Sequence, residues 1–151
     1  PGLTPKPFMT DSGLMAHLLH IYSPDDILNN NEKSQNEGGK LVETWVYNQL
    51  ASEVDLHSPW NIHYFRSRRH EIDFLVTNEK GHVLGIEVKA GESVASDDFQ
   101  HLHWMQELLG EEHFTGVILY SGDQVRSGGC GCFALPMAAL WSNFSTWTPL
   151  E

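Results

Sequence analysis

The chain has 151 residues, with 20 acidic and nine basic side chains and a formal net charge of −11 when histidine is neutral. A surface this acidic opposes unspecific binding to nucleic acid or to anionic lipid, so any positive charge that serves recognition must be local. No apolar run approaches the length of a transmembrane span and no secretory signal is visible, so we expect no membrane partner.

The length predicts a single domain spanning residues 1–151. Residues 1–7 are rich in proline and glycine and are expected to connect this domain to a preceding region, because the chain begins at Pro1 without an initiator methionine. Residues 150–151 resemble a tag scar. Phe8–Thr10 is expected to form a short strand.

Two helices are predicted in the first third of the chain. Asp11 or Ser12 provides an N-cap for a helix that reaches about His20. Residues 24–35 are polar and asparagine-rich and predict a loop, whereas residues 36–52 carry apolar side chains at helical spacing. Glu43 lies at the edge of that apolar stripe, where a carboxylate either reaches a neighbouring sheet or turns outward to water.

Three strands are predicted next, at residues 61–66, 71–77 and 82–89. A three-residue loop with Gly81 in the left-handed conformation would join the last two strands. This register sets Asp73 opposite Glu87 and Glu71 opposite Lys89, with all four side chains on one face. A four-residue loop would separate the two carboxylates across the sheet; we favour the shorter loop.

Two facing carboxylates repel each other unless a proton or a cation lies between them. Oxygen-only ligands suit Mg²⁺, which binds through one or two carboxylates and keeps several waters. Asp73 and Glu87 therefore form a candidate metal site, and Lys89 could orient a water or stabilise charge on a phosphate. Strand charges also occur simply as solvated or salt-bridged pairs, and this alternative stays open. The local positive charge at Arg66, Arg68 and Arg69 is either a solvated strand entry or a phosphate contact.

The second half of the chain adds a helix capped by residues 96–98 and an apolar strand at residues 116–120, which can pair parallel to the sheet through a crossover. His101 and His103 are expected on the surface. Residues 122–123 and 127–129 predict turns, residues 132–135 a late strand, and Pro136 the start of a final helical turn over residues 137–141. Cys130 and Cys132 are too close for an easy disulfide and do not complete a zinc set, which suggests a reducing cytoplasm. The element order predicts an α/β fold with a mixed sheet.

The acidic and basic positions also resemble a known fold. Glu43 on a helix, Asp73 on a strand, and Glu87 and Lys89 on the next strand, within an αβββαβ order, resemble the PD-(D/E)XK or restriction-endonuclease-like fold. The resemblance implies a mixed central sheet flanked by helices, metal-binding acids at Asp73 and Glu87, a catalytic lysine at Lys89 and an outer-shell acid at Glu43. Ile72 replaces the proline of the motif.

A closer resemblance covers almost the whole chain. In sequence and spacing, six blocks look like the C-terminal domain of unknown function carried by many bacterial and archaeal AAA-type ATPases. They are Lys6–Leu14, Gly39–Tyr47, Glu71–Phe74, Gly85–Gly91, Gly116–Asp123 and Ala134–Trp141.

The resemblance implies the tail of a larger protein, in which a P-loop ATPase module that binds ATP and a winged-helix-like segment come first. The expected activity is hydrolysis of phosphodiester bonds in nucleic acid with Mg²⁺ or Mn²⁺. The alternative is a non-catalytic assembly or recognition module of the ATPase, favoured by the acidic surface and by aromatic residues such as Trp141 and Trp147. Expected partners are nucleic acid, the ATPase module of the same protein and, in a homo-oligomer, further copies of the chain.

Overall fold

The computed structural model describes residues 6–28, 32–56 and 59–141. A six-stranded mixed sheet lies between helices, which confirms the α/β class and the predicted run of a helix, three strands, a helix and a strand. The helices are α1 (Ser12–Leu18), α2 (Pro24–Leu28), α3 (Glu32–Leu56) and α4 (Gln100–Leu109), with short 3-10 helices at Ser96–Phe99 and Met137–Trp141. The strands are β1 (Asn61–Arg66), β2 (Glu71–Thr77), β3 (Val83–Lys89), β4 (Phe114–Tyr120), β5 (Arg126–Gly129) and β6 (Cys132–Pro136).

The sheet has the spatial order β1-β2-β3-β4-β6-β5. β1, β2 and β3 form an antiparallel meander, β3 pairs parallel to β4, β4 pairs parallel to β6, and β5 closes the edge antiparallel to β6. The parallel strands β3, β4 and β6 therefore all end at one edge of the sheet, where β1 also ends and β2 begins. Ligands of open α/β sheets bind outside such carboxyl ends.

The β2–β3 hairpin has the predicted register over its paired residues, but the pairing stops before Asp73 and Glu87. Phe74 pairs with Ile86 and Thr77 with Val83, and Gly81 adopts a φ of +79°. Asn78 closes the loop, because its backbone amide donates to His82 O at 3.3 Å. A left-handed residue is needed at the end of this three-residue loop, and glycine adopts that conformation without a steric penalty.

The two faces of the sheet bury separate apolar clusters. The α4 face holds Leu102 and Met105 of the helix against Phe114 and Ile118 of β4. The helix approaches closely because β4 carries Gly116, where an added Cβ would lie 3.0 Å from Leu102 Cβ and 2.6 Å from Cys132 Sγ. The α3 face holds a second cluster of buried side chains: Val46, Phe74, Val76, Ile86 and Leu119.

A β-bulge in β2 changes the predicted faces. His63 pairs with Leu75 but Phe65 pairs with Ile72, so Asp73 and Phe74 together oppose one residue of β1. Ile72 accordingly packs in the α4-side cluster and Phe74 in the α3-side cluster, although regular alternation would place both on one face. The simple two-residue count therefore does not apply to Asp73.

Several local predictions were wrong. Phe8–Thr10 does not form a strand; the ring of Phe8 stacks on Tyr47 with centroids 4.5 Å apart, so this segment packs by its side chain. Within the predicted loop of residues 24–35, α2 forms because proline is favoured at the first helical position and Asp26 accepts the backbone amides of Tyr22 and Ser23. The helix predicted over about residues 36–52 is confirmed, but it is longer and extends from residue 32 to residue 56.

Further differences concern the ends of elements. The first helix has the predicted N-cap, since Asp11 accepts from Leu14 N at 2.9 Å, but it ends at Leu18. Residues 96–98 form a 3-10 turn rather than the cap of α4. Residues 127–129 belong to β5, where an added Cβ at Gly128 would collide with the ring of Phe99. Residues 1–5 of the predicted connector, the terminal residues 150–151 and Trp147 lie outside the described part of the chain.

Candidate active site

Four predicted residues lie at the edge of the sheet where β3 ends and β2 begins. Asp73 is on β2, Glu87 and Lys89 are on β3, and Glu43 is on α3, which packs across one face. Together with Lys6 of the segment before α1, they form what we call the charged cluster. Strands that pack in a core usually bury apolar side chains, so charged side chains at this edge require partners of opposite charge or hydrogen bonds.

Lys6 lies between two of the acids. Its Nζ is 2.6 Å from Glu43 Oε2 and 2.9 Å from Asp73 Oδ1, and each of the three side chains keeps less than a quarter of its surface exposed. Burial opposes the charge on the ammonium, but the attraction of Asp73 and Glu43 outweighs it and raises the pKa of Lys6 above its ordinary value. Lys6 is therefore a charged ammonium held by two carboxylates.

The second oxygen of Asp73 is bound by the backbone. Oδ2 accepts the amide of Val88 at 3.0 Å, so the carboxylate occupies the point where the pairing of β2 with β3 stops after Phe74 and Ile86. The bulge in β2 makes this contact possible. Each carboxylate oxygen retains further acceptor capacity, because an ionised carboxylate has about four lone-pair sites.

Glu43 is affected by its neighbours in opposite directions. Burial and the nearby charge of Asp73 raise the pKa of its carboxyl group, while the Lys6 ammonium lowers it. The net effect is an increase. Lys6 thus offsets only part of the cost of keeping Glu43 ionised.

Glu87 is the exceptional member of the cluster. It is only 9% exposed, and its Oε1 is buried without a hydrogen-bond partner. Burial, followed by repulsion from Asp73, raises the pKa of Glu87 to about 8, against a smaller opposing effect of Lys89. A buried carboxyl group in this state is either protonated or requires a cation, since an unpartnered buried charge is costly.

Lys89 forms its ion pair with Asp98, an acid that does not belong to the charged cluster. Its Nζ is 2.8 Å from Asp98 Oδ1 in the 3-10 turn before α4. Burial raises the pKa of Asp98, but its bonds to Lys89 and to the Ala95 amide dominate and lower it. The predicted placement of Lys89 opposite Glu71 is not seen, because strand pairing ends before those residues. Lys89 and Glu87 share a face of the regularly paired β3.

Glu71 instead belongs to a small network on β1 and β2. Tyr64 Oη donates to Glu71 Oε1 at 2.5 Å, and Arg66 Nε is 3.4 Å from Glu71 Oε2. Arg66, Arg68 and Arg69 are exposed around the β1–β2 turn, which lies at the same edge of the sheet as the charged cluster. We call these three residues the arginine turn.

His70 and His101 also meet near this edge, although the sequence predicted a surface position for His101. Their Nδ1 atoms are 3.2 Å apart, and the ring of His70 stacks on Trp104 with centroids 4.1 Å apart. Burial, together with the adjacent His70 and Lys89, lowers the pKa of His101. His103 is likewise half-buried, with Nε2 2.9 Å from Gly128 O.

Sequence reasoning identified Glu43, Asp73, Glu87 and Lys89 as a group but missed Lys6. Lys6 was assigned to the connector, and it contacts Asp73 across 67 positions of the chain. The available signal was its place at the start of the first block of family resemblance, Lys6–Leu14. No periodicity indicates a contact at that separation.

Residues 38–140 match the family described as Domain of unknown function (DUF4143). The match spans more than half of the 151 residues and includes Glu43, Asp73, Glu87 and Lys89, so the chain belongs to this family. A search of curated proteins and a search of solved structures each found no match. Within the described residues, no helix is both long and apolar enough to cross a bilayer.

Proposed function

We propose that this member of the DUF4143 family is a nuclease-like domain that hydrolyses phosphodiester bonds of nucleic acid with Mg²⁺ or Mn²⁺ held by Asp73 and Glu87. The observation that carries the proposal is the buried, unpartnered Oε1 of Glu87 next to the Asp73 carboxylate. Buried carboxyl oxygens almost always have a partner, and those without one call for an explanation such as an ion. A divalent cation would supply that partner and remove the repulsion between the two acids.

The ligand set fits a hard cation. The proposed ligand set consists of two carboxylates only, because within the described residues no group of three or more histidine, cysteine or acidic side chains is arranged to hold a metal. Two carboxylates with open positions suit Mg²⁺, which keeps several waters and binds substrate phosphates. When bound, such a cation neutralises charge on the scissile phosphate and makes water more acidic.

The chain's own cations have separate roles in this proposal. Lys89, whose side chain is 39% exposed, can leave Asp98 and donate to a phosphate oxygen that gains charge. The arginine turn would contact backbone phosphates, which position a nucleic acid without reading its sequence. The overall charge of −11 opposes such binding, so we expect recruitment by a partner, namely the ATPase module with its bound ATP that the family resemblance implies.

Location and assembly belong to the same proposal. Cys130 and Cys132 are free thiols, which supports the expected reducing cytoplasm. Assembly into a homo-oligomer would supply several arginine turns to one nucleic acid and would raise its affinity through multivalency.

The second candidate is a non-catalytic assembly or recognition module of the ATPase. It is favoured by the internal pairing of both lysines, since Lys6 lies between Glu43 and Asp73 and Lys89 is bound to Asp98. The indole of Trp141 is 65% exposed and could contact a partner, although it also lies 4.9 Å from the ring of Trp45.

Calorimetric titration of Mn²⁺ distinguishes the two candidates. We expect binding heat from the wild type and none from Asp73→Asn, with Glu79→Gln as the matched control because Glu79 is exposed in the β2–β3 loop, at the opposite end of the sheet. The purified domain is then incubated with single-stranded, duplex and branched DNA and Mn²⁺. Cleavage should disappear in Asp73→Asn and in Lys89→Ala. Absence of binding heat in the wild type would reject the metal site and favour the non-catalytic module.

A further inference from the structure

The Lys6 ammonium is enclosed by more than its two carboxylates. It lies 5.3 Å from the centre of the Tyr64 ring and 5.7 Å from the centre of the Phe8 ring, distances at which an aromatic face attracts a cation. Glu43 and Asp73 complete the surroundings at 2.6 and 2.9 Å. Two carboxylates and two aromatic rings therefore form a cation-binding site, and the cation bound there is the Lys6 ammonium of the same chain.

The segment that carries Lys6 is anchored by one aromatic residue. Phe8 stacks on Tyr47 of α3 at 4.5 Å and tilts against Phe74 of β2 at 5.5 Å. The helix that follows, α1, buries none of its residues. The ammonium is thus held at the acids as a tethered group, and its effective concentration there is high. The rest of the segment packs along α3 without burying a residue of α1.

We propose that Lys6 competes with the divalent cation for Asp73, so that withdrawal of Lys6 opens the charged cluster to the metal. This inference rests on the proposed function, because the same Asp73 carboxylate would bind the divalent cation. An ammonium at 2.9 Å from Asp73 Oδ1 repels a second cation on that carboxylate, since like charges at such short range interact strongly when partly shielded from water.

The structure also provides space for the withdrawn side chain. Lys6 and Glu43 line a cavity of about 410 Å³, together with Met9, Met15 and Lys40. A lysine side chain is flexible along its four-carbon stem and can move its ammonium without a change of backbone. Any event that displaces the Phe8 anchor would carry Lys6 with it. The position of this segment would therefore set the affinity of the site for metal.

Calorimetric titration of Mn²⁺ against lysine variants tests the competition. Lys6→Met removes the charge at nearly constant length, Lys6→Arg keeps the charge, and Lys80→Met removes a charge from the exposed β2–β3 loop. We expect Lys6→Met to bind Mn²⁺ about tenfold more tightly than the wild type, within the range typical of coupled sites, and both other variants to resemble the wild type. Thermal unfolding establishes that each variant is folded.

A second variant tests the same competition without removing a charge. Phe8→Ala releases the anchor of the segment and should also tighten Mn²⁺ binding. Equal affinity of the wild type, Lys6→Met and Phe8→Ala would overturn the competition and leave the proposed metal site intact. Weaker binding by Lys6→Met would also overturn it. Absence of binding in all of these proteins would reject the metal site and the competition together.

Discussion

Replacing Glu87 by glutamine should remove a pH-dependent loss of stability from the metal-free protein. Burial and Asp73 raise the pKa of Glu87 from the ordinary 4.5 to about 8 in the folded state. Between these two values the unfolded chain has lost this proton while the folded chain retains it, so stability falls as pH rises. Glutamine resembles the protonated acid and does not titrate, so the variant lacks this contribution.

The size of the effect follows from the same two values. Each pH unit within the window costs up to about 1.4 kcal/mol, and integration from about pH 5 to about pH 8 gives roughly 3 to 4 kcal/mol for Glu87. Urea unfolding of the wild type and of Glu87→Gln in the presence of a chelator measures the difference in free energy of unfolding at each pH. The two proteins should be similar near pH 5, and the variant should be the more stable near pH 8.

Other titrating groups are common to both proteins and cancel in the difference. Glu79→Gln, a change in the exposed β2–β3 loop, is the matched control and should leave the pH dependence of the wild type unchanged. A constant difference between Glu87→Gln and the wild type from about pH 5 to about pH 8 would refute the reasoning. Glu87 would then be ionised in the folded protein at no extra cost, and the charged cluster would need no cation.

Two further predictions follow from the site and from the core. The proposed ligands must be ionised to bind a metal, so Mn²⁺ binding near pH 6 should release about one proton, mainly from Glu87. Calorimetry in two buffers of different ionisation enthalpy measures the number of protons released. Binding without proton release would contradict the assignment of Glu87 as a ligand. Gly116→Ala should lower the free energy of unfolding by about 1 to 3 kcal/mol, because the new methyl group would overlap Cys132 Sγ. Gly39→Ala is the control in urea unfolding, since a Cβ there meets nothing within 4 Å and alanine favours a helix. Equal changes in the free energy of unfolding for the two variants would contradict the packing argument.

The elements that could be predicted are those whose signals are local. β-branched, apolar-rich runs and a glycine in a short loop specified β2, β3 and the register of Phe74 with Ile86. Apolar side chains at helical spacing likewise indicated α3 and α4. β5 was predicted as a turn because Ser127–Gly129 has the composition of one. Pairing with β6 and the close packing of Gly128 on Phe99 overrode that preference.

The candidate site was predictable as a set of residues but not as an arrangement. Asp73, Glu87 and Lys89 were found because charged side chains interrupt otherwise apolar strands, and Glu43 because it lies at the edge of a helical apolar stripe. The bulge at Asp73 and Phe74 could not be predicted, since it depends on how β1 pairs with β2. It allows Asp73 to bind the Val88 amide, and it invalidates the simple count that placed Glu71 opposite Lys89.

The sequence by itself determined α3, the meander β1–β3, α4 and β4, the hairpin at Gly81 and the residue types available for chemistry, because these depend on neighbours within a few positions. Only the tertiary structure decided that Lys6 reaches Glu43 and Asp73, and that Glu87 is buried with an oxygen left unpartnered. Ion pairing and desolvation depend on which distant segments pack together. The charge state of these acids is therefore a property of the folded sheet with α3 and α4 on its two faces.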